Sequence, residues 1–371
     1  MINHARIQKV QERMRERKMD AYLVLTHDDF IYLFGENWVQ PRAIVPAEGQ
    51  PVIIAFKAEE EEIRKSLGLK DVKIFGSLGE QMKDVIGVMR QLKGDKKTIT
   101  VGVQMWFNTP AFLMMMFRKA NPFVVPTDIA PVMDELRMFK DEGEMEKMRR
   151  AAEIASIGMK TAVEAVKPGI TENEVAAEAE YAMRKAGGHG MAVPVWVNSG
   201  YRSNWLHGAA TEKKIEKGEL VLIDIVPVYR GYCSNLCRTF TVGPATDEQK
   251  KLFDTYKEAR KAAVGAMKPG TAMKEIDKAA KAVFNDRGFG QYYIAGISHG
   301  IGLGFEETPA PTIKPGDSAV KVKEGMTLTA GHPVLSVPGI GGVRLEDTFS
   351  ITADGPVPLT DFPQELELPI D

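Results

Sequence analysis

Cysteine and histidine are scarce in this chain, with two cysteines and six histidines among 371 residues. Two cysteines cannot build a disulfide framework, and no Cys-x-x-Cys pair offers a zinc knuckle. Six histidines leave a three-histidine zinc site possible but tight. Charge of one sign is also missing: the formal net charge is −2, which gives no electrostatic footprint for nucleic acid or an anionic membrane. No run of about 18 uncharged apolar residues occurs, so no membrane span is expected. The charged N-terminal stretch is not followed by an apolar leader segment, and a cytoplasmic location is the expectation. What is present is an ordinary globular composition, 44% hydrophobic and 26% charged. At roughly 100–200 residues per domain the length allows two or three domains and a full hydrophobic core. A soluble enzyme is the class that remains.

The first third alternates between strand-like and helix-like stretches. Ile7, Val10 and Met14 mark one face of a helix over about 5–18. Short apolar runs at 21–25, 43–45, 52–56, 72–75 and 98–102 read as strands, with helical stretches at about 59–66, 78–93 and 109–119 between them. Such alternation predicts an α/β domain. A highly charged segment from Asp134 leads into a long helix over about 142–166, which places the domain boundary near 130–140 and gives domains of 1–135 and 136–371. The second domain carries an internal repeat. Ala165-Val-Lys-Pro-Gly-Ile-Thr-Glu-Asn-Glu-Val175 recurs as Ala266-Met-Lys-Pro-Gly-Thr-Ala-Met-Lys-Glu-Ile276. Each copy lies between two helices, with Lys-Pro-Gly as the turn. The long offset excludes a solenoid and predicts two related halves packed face to face.

Four segments concentrate the polar residues that look out of place. They are Val197 to Gly208, ending in His207; Leu220 to Phe240, with Asp224, Tyr232, Asn235 and Arg238; Ser298 to Pro309, with His299, Glu306 and Glu307; and Gly341 to Asp347, with Arg344 and Glu346. Asp224 interrupts an apolar strand, where an ionised carboxylate needs a cation or several donors. A salt bridge to Arg238 or Arg230 is the purely structural alternative. The Gly-x-Gly-x-Gly run after His299 lacks the Lys-Ser/Thr ending of a phosphate loop. If 231–240 is extended, Cys233, Asn235 and Cys237 share a face, and the cysteines read as small buried fillers.

Together these segments resemble the creatinase/prolidase/aminopeptidase P family (M24). The resemblance covers nearly the whole chain, with Met19-Asp-Ala-Tyr-Leu-Val-Leu25, Ile31-Tyr-Leu-Phe-Gly35 and Leu136-Arg-Met-Phe-Lys140 echoing its N-terminal domain and junction. It implies an α/β creatinase/prolidase-type N-terminal domain followed by an α+β pita-bread catalytic domain, whose pseudo-twofold symmetry accounts for the repeat. Metal-dependent members hold two divalent ions with Asp, Asp, His, Glu and Glu. Asp224, His299 and Glu346 match three of these positions. The second Asp is Asn235, the first Glu is assigned to Thr329 in Leu328-Thr-Ala-Gly331, and a family histidine is replaced by Glu306. Losing a bridging carboxylate badly weakens a two-ion site. The charge count favours no catalytic metal, with a single divalent ion (Mn, Co, Zn or Fe) on Asp224, His299 and Glu346 as the alternative.

Creatinases in the family use a histidine as general acid and base, and the segment ending in His207 resembles that stretch; a plain loop histidine is the alternative. The resemblance therefore implies C–N hydrolysis of a small cationic or zwitterionic substrate, with His207, Asp224, Glu307 and Glu346 catalytic. His299, Arg344, Glu306, Tyr232, Trp205 and Arg42 are the expected substrate contacts, and Trp196, Tyr32 and Trp38 are further aromatic candidates. A homodimer is implied, the N-terminal domain of one subunit completing the neighbour's site. Three alternatives stay open: a metal-dependent Xaa-Pro dipeptidase or aminopeptidase with a weakened site, an onium lyase, and a non-catalytic binding module.

Overall fold

The structure is a computed structural model and describes residues 3–35, 42–68, 72–106 and 109–367. Trp38 lies outside the described residues. The chain separates into two compact units, Met1–Arg137 and Met138–Asp371.

The first unit opens with α1 (His4–Glu16), whose Ile7, Val10 and Met14 are buried as their spacing predicts, with the Asn3 side chain capping its first turn. There follow β1 (Ala21–Val24), α2 (His27–Phe34), β2 (Arg42–Pro46), β3 (Val52–Phe56), α3 (Glu60–Leu67), β4 (Val72–Phe75), α4 (Leu78–Lys93), β5 (Ile99–Val103), α5 (Ala111–Ala120), β6 (Val124–Asp128) and α6 (Ala130–Arg137). The strands form one mixed sheet in the order β4-β3-β2-β1-β5-β6. Its antiparallel pairs are β1–β2 and β2–β3, and the other pairs are parallel. Leu23, Ile44, Ile54, Val101, Met89 and Phe117 belong to the core under it. Two helices, α2 and α6, were not expected. Arg137 at the end of α6 donates to the fully buried Asp29 of α2 at 3.0 Å, and Tyr22 and Thr26 satisfy the other carboxylate oxygen.

The second unit begins with α7 (Glu142–Ala165) and α8 (Glu172–Lys185). Capping boxes open both, Asp141 with Glu144 and Thr171 with Glu174. Strands β7 (Gly190–Met191), β8 (Trp196–Ser199), β9 (Leu220–Ile225), β10 (Pro227–Tyr229), β11 (Tyr232–Cys233) and β12 (Leu236–Thr241) come next. The second half repeats the plan with α9 (Asp247–Ala266), α10 (Met273–Asp286), β13 (Thr327–Ala330), β14 (Leu335–Val337), β15 (Gly341–Val343), β16 (Asp347–Thr352) and β17 (Gly355–Pro358). The repeat is visible in hydrogen bonds: the glycine of each Lys-Pro-Gly turn has positive φ, and Gly169 donates to Ile215 O as Gly270 donates to Val322 O. Sheets β8-β9-β12 and β13-β16-β17 each pack on their own helix pair. They meet where Cys237 and Glu346 exchange both backbone hydrogen bonds. Among the described residues no helix is long and apolar enough to cross a membrane.

Candidate active site

The seam between the two sheets places the site. Trp196 pairs with Asp224, Asp224 with Cys237, and Cys237 with Glu346, a row of four residues across adjacent strands. Directly paired residues point to one face, so Asp224 and Glu346 share it despite lying in different halves of the repeat. Arg344 stands two residues before Glu346 and shares that face as well. His299 arrives beside β13, where Thr329 N donates to His299 O and Gly300 bridges to Leu328.

Asp224 is fully buried and both its oxygens are taken. Oδ1 accepts from Asn235 Nδ2 at 2.6 Å and Oδ2 from Arg344 Nη1 at 2.6 Å. Arg344, also fully buried, anchors its second terminal nitrogen, Nη2, on Leu206 O at 3.0 Å. The cation that compensates Asp224 is therefore neither Arg238 nor Arg230. Arg238 is committed to Asp347 at 2.9 Å, and Arg230 stacks on Tyr229. Burial raises the Asp224 carboxyl, with Glu346 adding to the rise and Arg344 opposing it. Burial alone would lower the Arg344 guanidinium, but Asp224 and its neighbours hold it above its ordinary range, so it stays charged.

The other half of the site is a histidine-carboxylate cluster. His299 Nε2 lies 3.3 Å from Glu346 Oε1, and His332 Nδ1 lies 3.6 Å from the same oxygen. The two rings are perpendicular with centroids 4.7 Å apart. Neither ring nitrogen nor either Glu346 oxygen makes a well-directed hydrogen bond, although all four are buried. Burial would raise the Glu346 carboxyl, yet the two imidazoles hold it well below the usual carboxylate range. His299 is raised: burial pushes it down, and Glu346 and Glu306 more than restore it. His332 Nε2 faces Glu306 Oε1 at 3.2 Å. His207 is exposed at the rim, its ring 4.8 Å from Trp196 and 6.2 Å from His332. Partial burial, Arg344 and His332 lower its pKa.

Several expected residues fall elsewhere. Thr329 is not the residue that meets Glu346 from this side; His332 is. Gly331, at φ +113°, makes the turn that brings His332 inward, and a Cβ there would collide with Leu345 O. Glu307 is not free to act on a substrate: Lys140 holds Oε1 at 2.7 Å and Gly304 N donates to Oε2 at 3.2 Å, so it braces the loop after His299. Tyr232 turns its hydroxyl to Glu144 of α7 at 2.8 Å, and Trp205 is covered by the Arg202 guanidinium at 4.1 Å. Tyr32 is buried within the first unit with Arg6 over its ring. Arg42 lies on β2, its backbone paired with Ile54. Asp224, His299, Glu306, Arg344 and Glu346 do come together, with His207 at their edge.

His332 and Glu172 were not among the expected site residues. The latter is fully buried and receives Ser199 N, Arg202 Nε and Thr211 N, clamping both ends of the segment that carries His207. The available signal for the first was its closeness to Thr329. A glutamate at a helix N-terminus gave none for the second.

A metal pair does not fit these residues. Asp224 has no oxygen left, Asn235 carries no charge and has its amide nitrogen spent on Asp224, and a guanidinium stands where a second ion would be repelled. His299, His332 and Glu346, by contrast, present ligand atoms within 4.8 Å of one another and none is engaged in a directed bond.

Residues 146–353 match metallopeptidase family M24, and residues 6–139 match the creatinase/prolidase N-terminal domain. The Xaa-Pro dipeptidase of Pyrococcus horikoshii is 32% identical over 98% of this chain and 99% of its own. That of Pyrococcus furiosus is 32% identical over 97% of this chain and 99% of its own. Among solved structures, the recombinant prolidase from Thermococcus sibiricus superposes with a TM-score of 0.90 at 28% identity, covering 99% of each chain. The Pyrococcus horikoshii OT3 prolidase gives 0.88 at 29% identity, covering 98% of this chain and all of its own. The chain belongs to metallopeptidase family M24, with the creatinase/prolidase N-terminal domain and the pita-bread fold, and is a hydrolase of C–N bonds.

Proposed function

We propose that the chain hydrolyses the C–N bond of a small zwitterionic substrate of the dipeptide type, at a centre that holds no pair of metal ions, with His207 moving the proton. One observation carries the reading: both oxygens of Asp224 are saturated by Arg344 and Asn235. The names of the relatives favour Xaa-Pro dipeptides over guanidino or ureido compounds as the first class to test.

His207 is suited to its role by position and charge. It lies at the open edge, and its lowered pKa leaves the imidazole neutral at pH 7. A neutral imidazole takes a proton from water and returns it to the leaving nitrogen. Glu306 and Glu346 make the pocket acidic and attract the substrate's ammonium group. Trp196 backs the His207 ring, limiting its rotation. His299, His332 and Glu346 are the residues that would hold a single divalent ion, which supplies carbonyl polarisation and an acidified water when bound. The proposal includes a cytoplasmic homodimer in which Arg42 of a second copy receives the substrate carboxylate.

A panel of Xaa-Pro, Xaa-Ala and small ureido substrates tests the reading, with the His207→Ala variant alongside. Turnover of a Xaa-Pro dipeptide, falling by about 10²–10⁴ in kcat in the variant, is the expected result. Full activity in His207→Ala removes the assignment.

A further inference from the structure

The seam between the two halves of the second unit is held more by side chains than by backbone pairing. Cys237 N donates to Glu346 O at 2.9 Å and Glu346 N to Cys237 O at 3.1 Å. On one side of this pair Thr239 Oγ1 donates to Arg344 O and accepts from Arg344 N. On the other, Thr348 Oγ1 does the same for Asn235. At the pair itself, Arg238 Nη1 donates to Cys237 O at 2.8 Å and to Glu346 O at 3.0 Å, the two carbonyls already joined across the seam. Successive strand residues face opposite sides, so Cys237 and Glu346 look into the site while Arg238 and Asp347 lie behind it. The same guanidinium reaches a further layer, a strap formed by residues 359–367. Arg238 donates to Phe362 O at 2.7 Å and to Pro363 O at 3.0 Å. Ser156 holds Asp361 O, Lys257 holds Gln364 O, and Thr241 N donates to Leu366 O. Phe362 packs against the core of the first half, and Leu366 belongs to the core of the second. Thr360 Oγ1 closes the circuit by donating at 2.8 Å to Asp347 Oδ1, the oxygen that also accepts from Arg238 Nη2.

From this arrangement we infer that Arg238 is a positioning residue of the hydrolytic site. Backed by the strap, it fixes the spacing of the two halves at Glu346, and so sets His207, on the first half, against Glu306 and Glu346, on the second. The inference rests on the role of His207 proposed above. Charge-assisted hydrogen bonds are about twice as strong as neutral ones, and Arg238 places two of them on the seam's own acceptors. Asp347 compensates the buried guanidinium, and Arg260 meets its other oxygen from α9. A loosened seam changes the distance between the proton-moving histidine and a bound substrate. It leaves together the two carboxylates that attract the substrate's ammonium, because both belong to one half. The rate of the chemical step therefore depends on Arg238, and the strength of substrate capture does not.

Arg238→Gln is the first variant to test, because Arg260 still compensates Asp347 and no buried carboxylate is left unpaired. Hydrogen exchange of the full chain, resolved at the Cys237 and Glu346 amides, is measured beside steady-state kinetics per folded chain. Exchange at both amides should quicken by at least about 10-fold, and kcat should fall by about 10–100-fold with KM unchanged. Arg238→Lys keeps the charge without the planar fork and should behave like Arg238→Gln. Should neither variant fold, Thr360→Val loosens the strap's tie to Asp347 and should quicken exchange and lower kcat by about 3–10-fold. Unchanged exchange, an unchanged kcat, a rise in KM in place of the fall in kcat, or full rescue by Arg238→Lys overturns the inference. The role of His207 fails separately. Full activity in His207→Ala, or a substrate panel without turnover, refutes that role alone, and exchange at the two amides then decides whether Arg238 holds the seam.

Discussion

Replacing Asn235 by Asp puts a carboxylate where the family resemblance implies a second Asp, and here it should be costly. Asn235 Nδ2 donates to Asp224 Oδ1 at 2.6 Å, and both residues are fully buried. In Asn235→Asp the donor becomes an acceptor, and two carboxylates with centres about 4 Å apart repel by about 4 kcal/mol at an effective dielectric of about 20. Arg344 is committed to the opposite oxygen of Asp224 and offers position 235 no hydrogen bond. The loss has a ceiling. The pair can take up one proton, whose O–H then replaces the lost N–H donor. Starting from an unfolded Asp pKa of about 3.9, holding that proton at pH 7 costs about 4 kcal/mol. The two estimates agree, so the variant should lose about 3–4 kcal/mol at pH 7.

The pH dependence identifies the cause. The pair's folded pKa is raised, so the folded state binds more protons than the unfolded state and the variant loses stability as pH rises. Relative to the parent chain, the deficit should grow by about 1.4 kcal/mol per unit from pH 4 toward pH 7 and nearly vanish at pH 4. Urea unfolding of both proteins at pH 4.5, 6 and 7.5, with chelator present, measures it. A deficit independent of pH would mean a packing defect instead of charge repulsion. No deficit at pH 7.5 would mean that Asp224 and Asn235 do not meet as described.

Much of the framework could be read in advance because it follows from local pattern. The apolar spacing of 78–93 and the alanine-rich repeat around Lys-Pro-Gly became α4 and the pairs α7–α8 and α9–α10. Asp224 stood out because a carboxylate inside Leu-Val-Leu-Ile-Asp-Ile requires compensation, although its cation, Arg344, is 120 residues away and local spacing cannot reveal it. The same limit misplaced Glu307 and Tyr232. Their side chains are claimed by Lys140 and Glu144, 167 and 88 residues earlier in the chain, and only tertiary structure supplies those partners. The charged segment from Asp134 was read only as the lead-in to the long helix, whereas its first residues end α6 and Arg137 is spent on Asp29.

Three further outcomes follow from the site's supports. If His207 must be neutral to accept a proton, kcat/KM should be full above its pKa and fall as pH drops through it; because that pKa is lowered, the acid limb should lie below pH 6.5, as pH-rate profiles would show. Gly342→Ala puts a Cβ against Ser203 O, a backbone atom that cannot swing aside, so calorimetry should show a loss of about 1–3 kcal/mol. Glu172→Gln separates positioning from catalysis. Glu172 is paired with Arg202 Nε at 2.9 Å, and Arg202 in turn donates to Ala209 O just beyond His207. Removing one partner of such a buried pair costs about 3–5 kcal/mol, and the freed segment should let His207 wander from Trp196. The expected signature is a drop in kcat with little change in KM and the same acid limb, because the His207 environment is loosened without being recharged. A variant whose KM rises while kcat holds would show that Glu172 shapes the substrate pocket and leaves the histidine's placement to other contacts.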